Sequence, residues 1–209
     1  MALVVAALAS GPHDARAQCG PLLPPNAHLN GKSFDEWNVL YTKWAVAIQL
    51  GGQTPSDTVD GVRFLPARTT PGTYEFDVTL KPGTPFVAPP YPVFGETYDN
   101  GTQDVPDEPT MDFLFDNADV RVVLDGKTLM DDTADELAKY QYGPVYFDRP
   151  IVYAAPQDRG GANSTSAIWT VGVAAVYHPL PVGRHTLVNI ASGPLGDYRT
   201  TYHITVSPH

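Results

Sequence analysis

Residues 95–109 read GETYDNGTQDVPDEP and hold Glu96, Asp99, Asn100, Asp104, Asp107 and Glu108. Calcium is bound by many hard oxygen atoms, so this run is a candidate calcium site built from Glu96, Asp99, Asp104, Asp107 and Glu108. Its spacing does not follow an EF-hand loop, and a solvated acidic loop is the plain alternative. His178, His185 and His203 are the second candidate. They fall on consecutive expected strands, and three imidazoles in register could hold zinc or copper. Register decides this: Tyr202, Ile204 and Val206 share one face of the last strand, which turns His203 to the other. Tyr140, Tyr142, Tyr146 and Tyr153, with Phe147 among them, are the third candidate. Exposed rings on a sheet could stack on sugars, whereas alternation would bury half of them.

Nucleophilic chemistry has little support. There is no G-x-S-x-G elbow, and Ser192 stands in an expected turn. Asp112, Asp116, Asp119 and Asp148 could supply the paired carboxylates of a glycosidase, but none is singled out by spacing. Cys19 is the only cysteine. It can form no internal disulfide, and is either a free thiol or a link between chains. Gln18 before it does not fit a lipobox.

These residues must be positioned by a turn-rich chain. Pro (21) and Gly (18) are frequent and charged residues make up only 17%, which favours β structure over a helical bundle. One helix is expected over 33–50. Ser33 and Glu36 form a capping box, Phe34, Trp37, Tyr41, Trp44 and Ile48 make a stripe, and Gly51-Gly52 ends it. Beyond it, short apolar runs alternate with turns. Residues 73–80 (TYEFDVTL) alternate clearly, and Asp125-Gly126 marks a hairpin. Residues 86–94 carry three prolines and suit an edge strand or a crossing segment. Residues 111–118 could be a short helix or strand, 131–140 could hold a helical turn, and 154–166 reads as a flexible loop. Three strands over 167–177, 185–191 and 200–206 close the chain. The expected fold is mainly β: an antiparallel β-sandwich or jelly roll with one amphipathic helix packed on it, in a single domain over 33–209.

Residues 3–9 are apolar and Ala15-Arg16-Ala17 matches an A-x-A cleavage pattern. A signal peptide over 1–17, an extended lead-in over 18–32 and a secreted or periplasmic location are therefore expected. No stretch is long enough for a transmembrane helix. A net charge of −10 leaves no basic footprint for nucleic acid.

Gly31, Ser33, Phe34, Glu36, Trp37 and Trp44 resemble the opening helix of a family of secreted bacterial and archaeal proteins without assigned activity. Residues 81–86 (KPGTPF) stand where that family has a Pro-Ala-Gly-Lys-like turn, and residues 122–126 match its strand ending in Asp-Gly. Residues 181–187 (PVGRHTL) and 202–206 (YHITV) resemble its closing strands. The family's doubled tryptophan is missing, with Tyr41 and Trp44 in its place. The resemblance implies export and a β-sandwich and transfers no activity. The first functional reading is a binding or interaction module for a carbohydrate or other surface ligand. The alternatives are an exported hydrolase acting on a polymer through Asp and His residues, and an envelope structural or assembly protein.

Overall fold

The computed structural model describes residues 20–131 and 134–208, and for 134–136 the backbone alone. The signal segment expected over 1–17, Cys19 and His209 lie outside the described residues.

The lead-in is tied to the body. Leu22 and Leu23 are buried, Leu22 bridges Tyr177, and the Leu23 N–H donates to the Val176 carbonyl at 2.7 Å. Strands β1 (His28–Leu29) and β2 (Lys32–Ser33) then form a small hairpin. Asn30 and Gly31 close it at positive φ. An extended lead-in was expected, and two leucines give it an apolar anchor.

Helix α1 (Phe34–Gln49) starts as its sequence dictates. The Ser33 hydroxyl accepts from the Glu36 N–H at 3.2 Å, and the Glu36 carboxylate accepts from the Ser33 N–H at 2.7 Å. The expected stripe is only partly the buried one. Phe34, Trp37 and Tyr41 are buried, Trp44 is half-buried and Ile48 is 37% exposed. Residues 34, 41 and 48 are a heptad apart, and a straight helix drifts by about 20° per heptad. The buried face therefore moves on to Ala45 and Val46.

The strands follow in chain order. β3 (Thr58–Val59), β4 (Val62–Phe64), β5 (Gly72–Leu80), β6 (Phe86–Val87) and β7 (Tyr91–Tyr98) precede helix α2 (Glu108–Phe115). β8 (Asp119–Leu124) and β9 (Lys127–Met130) form the Asp125-Gly126 hairpin before helix α3 (Ala134–Tyr140). β10 (Gln141–Asp158), β11 (Asn163–Val173), β12 (Val176–Tyr177), β13 (Gly183–Ser192) and β14 (Tyr198–Val206) complete the fold. The loop expected over 154–166 is instead the tip of the β10–β11 hairpin. Pro144, Pro150 and Pro156 are tolerated in β10 because it is an edge strand.

The fold is mainly β. One sheet has the order β5-β14-β13-β8-β9, a second β10-β11-β7, a third β12-β6-β4-β3. β7, proline-bearing, is an edge strand. Most pairs are antiparallel, but β14 runs parallel to β5 and β4 to β6, where all-antiparallel pairing was expected. The first two sheets share one apolar core, in which Val122, Leu187 and Ile204 meet Val93, Val171 and Val173. A second cluster lies beneath α1, where Phe34, Trp37 and Tyr41 pack against Val62, Phe64 and Val87.

Candidate functional site

A cleft of about 500 Å³ opens where α1, the β4–β5 loop, β7, α2, β11 and β14 meet. The shifted face of α1 supplies Ala45 and Val46 to one side. The Gln49 side-chain amide oxygen, Oε1, accepts from the Thr69 N–H at 2.8 Å and pins the β4–β5 loop to the helix. Pro89-Pro90-Tyr91-Pro92 forms another wall. Proline offers no backbone donor and fixes φ, so this segment presents a stiff apolar surface. Trp169 lies across the ladder from Gly95, and its indole N–H donates to the Asp104 carbonyl at 3.0 Å. Tyr198 and Tyr202 enter from β14. Val105, Phe113 and Leu195 stand at the mouth, 52%, 56% and 41% exposed.

One wall is polar. Glu96, nearly buried, is held by Arg159 through two hydrogen bonds of 2.8 Å. It also accepts from the Tyr153 hydroxyl at 2.7 Å and the Ser164 hydroxyl at 2.9 Å. A bidentate guanidinium and two hydroxyls satisfy the carboxylate, which makes burial tolerable. Burial, then the bond to Glu96, pushes the Tyr153 hydroxyl far up. Asp104 accepts from the Glu96 N–H at 2.8 Å and from the Tyr98 hydroxyl at 3.0 Å. Tyr98 is pushed up to about 12, by burial first and then by Asp104.

The expected calcium ligands are thus placed in separate tasks. Glu96 and Asp104 belong to the cleft wall. Asp99 accepts from the Asn163 backbone and side chain, which hold its carboxyl below the usual range. Asp107 caps α2, accepting from the Thr110 N–H at 3.0 Å, and Glu108 is the first residue of that helix. Among the described residues, no three His, Cys, Asp or Glu side chains lie together as a metal site would need.

The histidines diverge as well. His185 pairs with Ile204 across β13 and β14, so His203 points from the opposite face, where it meets Glu75 at 3.6 Å. His178 lies beyond β12, its backbone N–H donating to the Pro21 carbonyl at 2.9 Å. His185 locks the β8–β9 turn: Nδ1 lies 2.8 Å from Asp125 and Nε2 2.9 Å from the Pro181 carbonyl. Asp125 also accepts from the Thr186 N–H at 2.8 Å. Burial lowers the His185 pKa, but the Asp125 and Pro181 bonds outweigh it and the net shift is upward. Burial raises the Asp125 pKa, and the bonds from His185 and Thr186 outweigh it, so its net shift is downward.

The His185 contribution is therefore whole below its unfolded value of 6.5 and is lost as pH rises through the folded one. That of Asp125 is present above 3.8 and is lost as pH falls through its lowered value. Unfolding midpoints in urea are expected to decline as pH rises from 6.5 through the raised folded value of His185. Asp125→Asn should flatten that decline, and an unaltered slope in the variant would remove the pair from the account.

The tyrosines do not form a platform. Tyr142 is buried, with its hydroxyl 3.0 Å from Thr42 Oγ1 and 3.1 Å from Thr170 Oγ1. Tyr153 is buried on Glu96, Tyr140 packs against Phe34, and only Tyr146 is strongly exposed. Register shifts along β10 break the alternation that a row of rings would need. Of the candidate carboxylates, Asp112, Asp116, Asp119 and Asp148 all lie off the cleft lining.

Sequence reasoning missed Tyr91, Trp169 and Asn189 as cleft residues. A signal existed for Tyr91 and Asn189. Asn189 interrupts the apolar run of residues 187–191, and Pro-Pro-Tyr-Pro joins a ring to a rigid backbone.

No family model and no curated protein matches the chain. A solved structure described as "Structure of PbICP-C in complex with falcipain-2" aligns over 70% of this chain and 98% of that one. Its identity is 8% and its TM-score 0.27, so the site alone carries the functional argument. Among the described residues, no helix is long and apolar enough to cross a membrane.

Proposed function

We propose that this protein is an exported binding module and that the cleft between α1, β7, α2 and β14 holds its ligand. The observation that carries this is the cleft itself. It is concave, its walls are mostly apolar and ring-rich, and a few polar groups are fixed at defined places, which is how small-molecule sites are built. The exposed Val105, Phe113 and Leu195 at its mouth support the reading, because apolar side chains clustered at a surface mark interaction sites. Export rests on the apolar 3–9 run and the Ala15-Arg16-Ala17 pattern.

The test is a fluorescence titration with 1-anilinonaphthalene-8-sulfonate. Saturable binding of one probe per chain is expected, weakened several-fold in Phe113→Asp, which places a negative charge at the mouth. Phe113 is 56% exposed, so the variant should keep its fold. Absence of saturable binding, or equal affinity in the variant, would overturn the assignment.

A further inference from the structure

Strand β5 ends its sheet. It pairs on one side with β14 and on the other with no strand among the described residues. The ladder shows which backbone groups are left over. The Gly72 N–H donates to the Asp197 carbonyl at 2.8 Å, and the Leu80 carbonyl accepts from the Ser207 N–H at 3.1 Å. Successive peptide groups of a strand point to opposite sides, so residues that bond one neighbour alternate with residues that face away. The even-numbered residues from 72 to 80 therefore serve β14. Thr73, Glu75, Asp77 and Thr79 turn their N–H and C=O groups to the open edge, and all four are exposed.

Open edges are templates for pairing, and folds blunt them by shortness, proline or bulges. The other edges of this fold are blunted in those ways. β1, β2, β3 and β12 have two residues each and β9 has four. β7 and β10 carry prolines and register shifts. β5 runs for nine residues with no proline, and its register with β14 is unbroken. No residue of β5 lines the cleft, so this edge is a separate surface.

The side chains select the occupant. Among the described residues, the Asp77 carboxylate has no ion pair and Glu75 meets only the exposed His203, at 3.6 Å. A second copy of β5 paired antiparallel about Phe76 would set Glu75 against Asp77 twice, and like charges directly opposite are destabilising. The net charge of −10 opposes that pairing too. An incoming strand with Lys or Arg on this face is favoured for the same reason. The other face of β5 asks for something different. Tyr74 and Phe76 are only half-buried there, and Arg68 lies over both rings, 6.0 and 5.7 Å from their centroids. The open ring surface suits apolar side chains, and Arg68 repels a further cation. We infer that β5 is a docking edge for an extended segment of another protein that alternates basic with apolar residues and adds to the sheet as a further strand.

The experiment is a fluorescence-anisotropy titration of the full chain with labelled acetyl-Lys-Val-Lys-Val-Lys-Val-Lys-amide. Saturable binding is expected. The same peptide N-methylated at every peptide bond keeps its charges but cannot donate to the ladder. It should bind more weakly by about tenfold or more, the worth of one or more ordinary hydrogen bonds. The double variant Glu75→Lys/Asp77→Lys changes two exposed side chains and should keep its fold. It should lose the basic peptide and take acetyl-Glu-Val-Glu-Val-Glu-Val-Glu-amide, which the wild type should not bind. Equal binding of the N-methylated peptide would show that net charge alone attracts it. An unchanged preference in the double variant would place the peptide elsewhere, and absence of saturable binding would remove the occupant. Each of these overturns the inference. So would a wild-type dimer in sedimentation that Thr79→Pro dissociates, since a second copy would then sit on the edge.

Discussion

Replacing Trp37 by alanine is expected to destabilise the fold by about 3–5 kcal/mol, the range for removing a large aromatic side chain from a packed core. Trp37 is completely buried, at 0% exposure. Its ring meets Phe64 edge-on with centroids 6.3 Å apart, and its N–H donates to the Leu29 carbonyl at 2.9 Å. Truncation would open a cavity between α1 and β4. It would also leave the Leu29 carbonyl, next to the β1–β2 turn, without that donor. Urea unfolding followed by circular dichroism measures the loss. Trp37→Phe keeps part of the volume and should fall between the two. Trp44 offers a control on the same helix. It is only half-buried, and its indole nitrogen has no hydrogen-bond partner among the described residues, so Trp44→Ala should cost less than Trp37→Ala. Trp44 packs on the rim of the same cluster, 5.6 Å from the Phe64 ring, so the reverse order would mean that burial does not set the rank of the two rings.

The helix could be read from the sequence because its signals are local. Ser33 and Glu36 lie three positions apart, and the stripe begins at once. Its far end misled because heptad spacing and a straight helix fall out of phase, and Ile48 rotated outward. β5 and the Asp125-Gly126 hairpin were equally legible, since alternation and a tight turn involve only neighbours in sequence. The β10–β11 tip was not. Residues 154–166 have a loop composition, yet Ser164 and Ser166 are buried strand residues. Ser164 is at home there because its hydroxyl donates to Glu96, 68 positions away. No local pattern announces such a partner. The cleft escaped for the same reason. Tyr91 and Asn189 come from different sheets, and their places on the cleft lining are set by register and sheet packing. The acidic run was read as a candidate calcium site. Its carboxylates, however, serve a guanidinium, an asparagine and a helix cap, and these partners lie outside or at the far side of the run.

Gly95→Ala is expected to cost about 3 kcal/mol or more and to deform the cleft. A Cβ at position 95 would lie 2.0 Å from Trp169 Cε2 and 2.2 Å from its Nε1. The ring is rigid and 2% exposed, so it cannot yield by the few tenths of an ångström that a flexible chain would give. Ordinary overpacking costs about 1–3 kcal/mol. Here the whole indole must swing away, breaking its bond to the Asp104 carbonyl, so the cost should approach that of removing it. A double-mutant cycle isolates this cause. With Trp169 already replaced by alanine, the added methyl meets empty space, and Gly95→Ala should then cost little. The coupling should exceed the roughly 0.5 kcal/mol tolerated between independent sites. Additive costs would show that the glycine serves the backbone of β7 and not the indole. The same variant separates fold from binding. Trp169 forms a wall of the cleft, so Gly95→Ala should weaken the anilinonaphthalene probe even at temperatures where the protein remains folded. Trp37→Ala, whose cavity lies under α1 away from the cleft lining, should bind the probe normally until it unfolds.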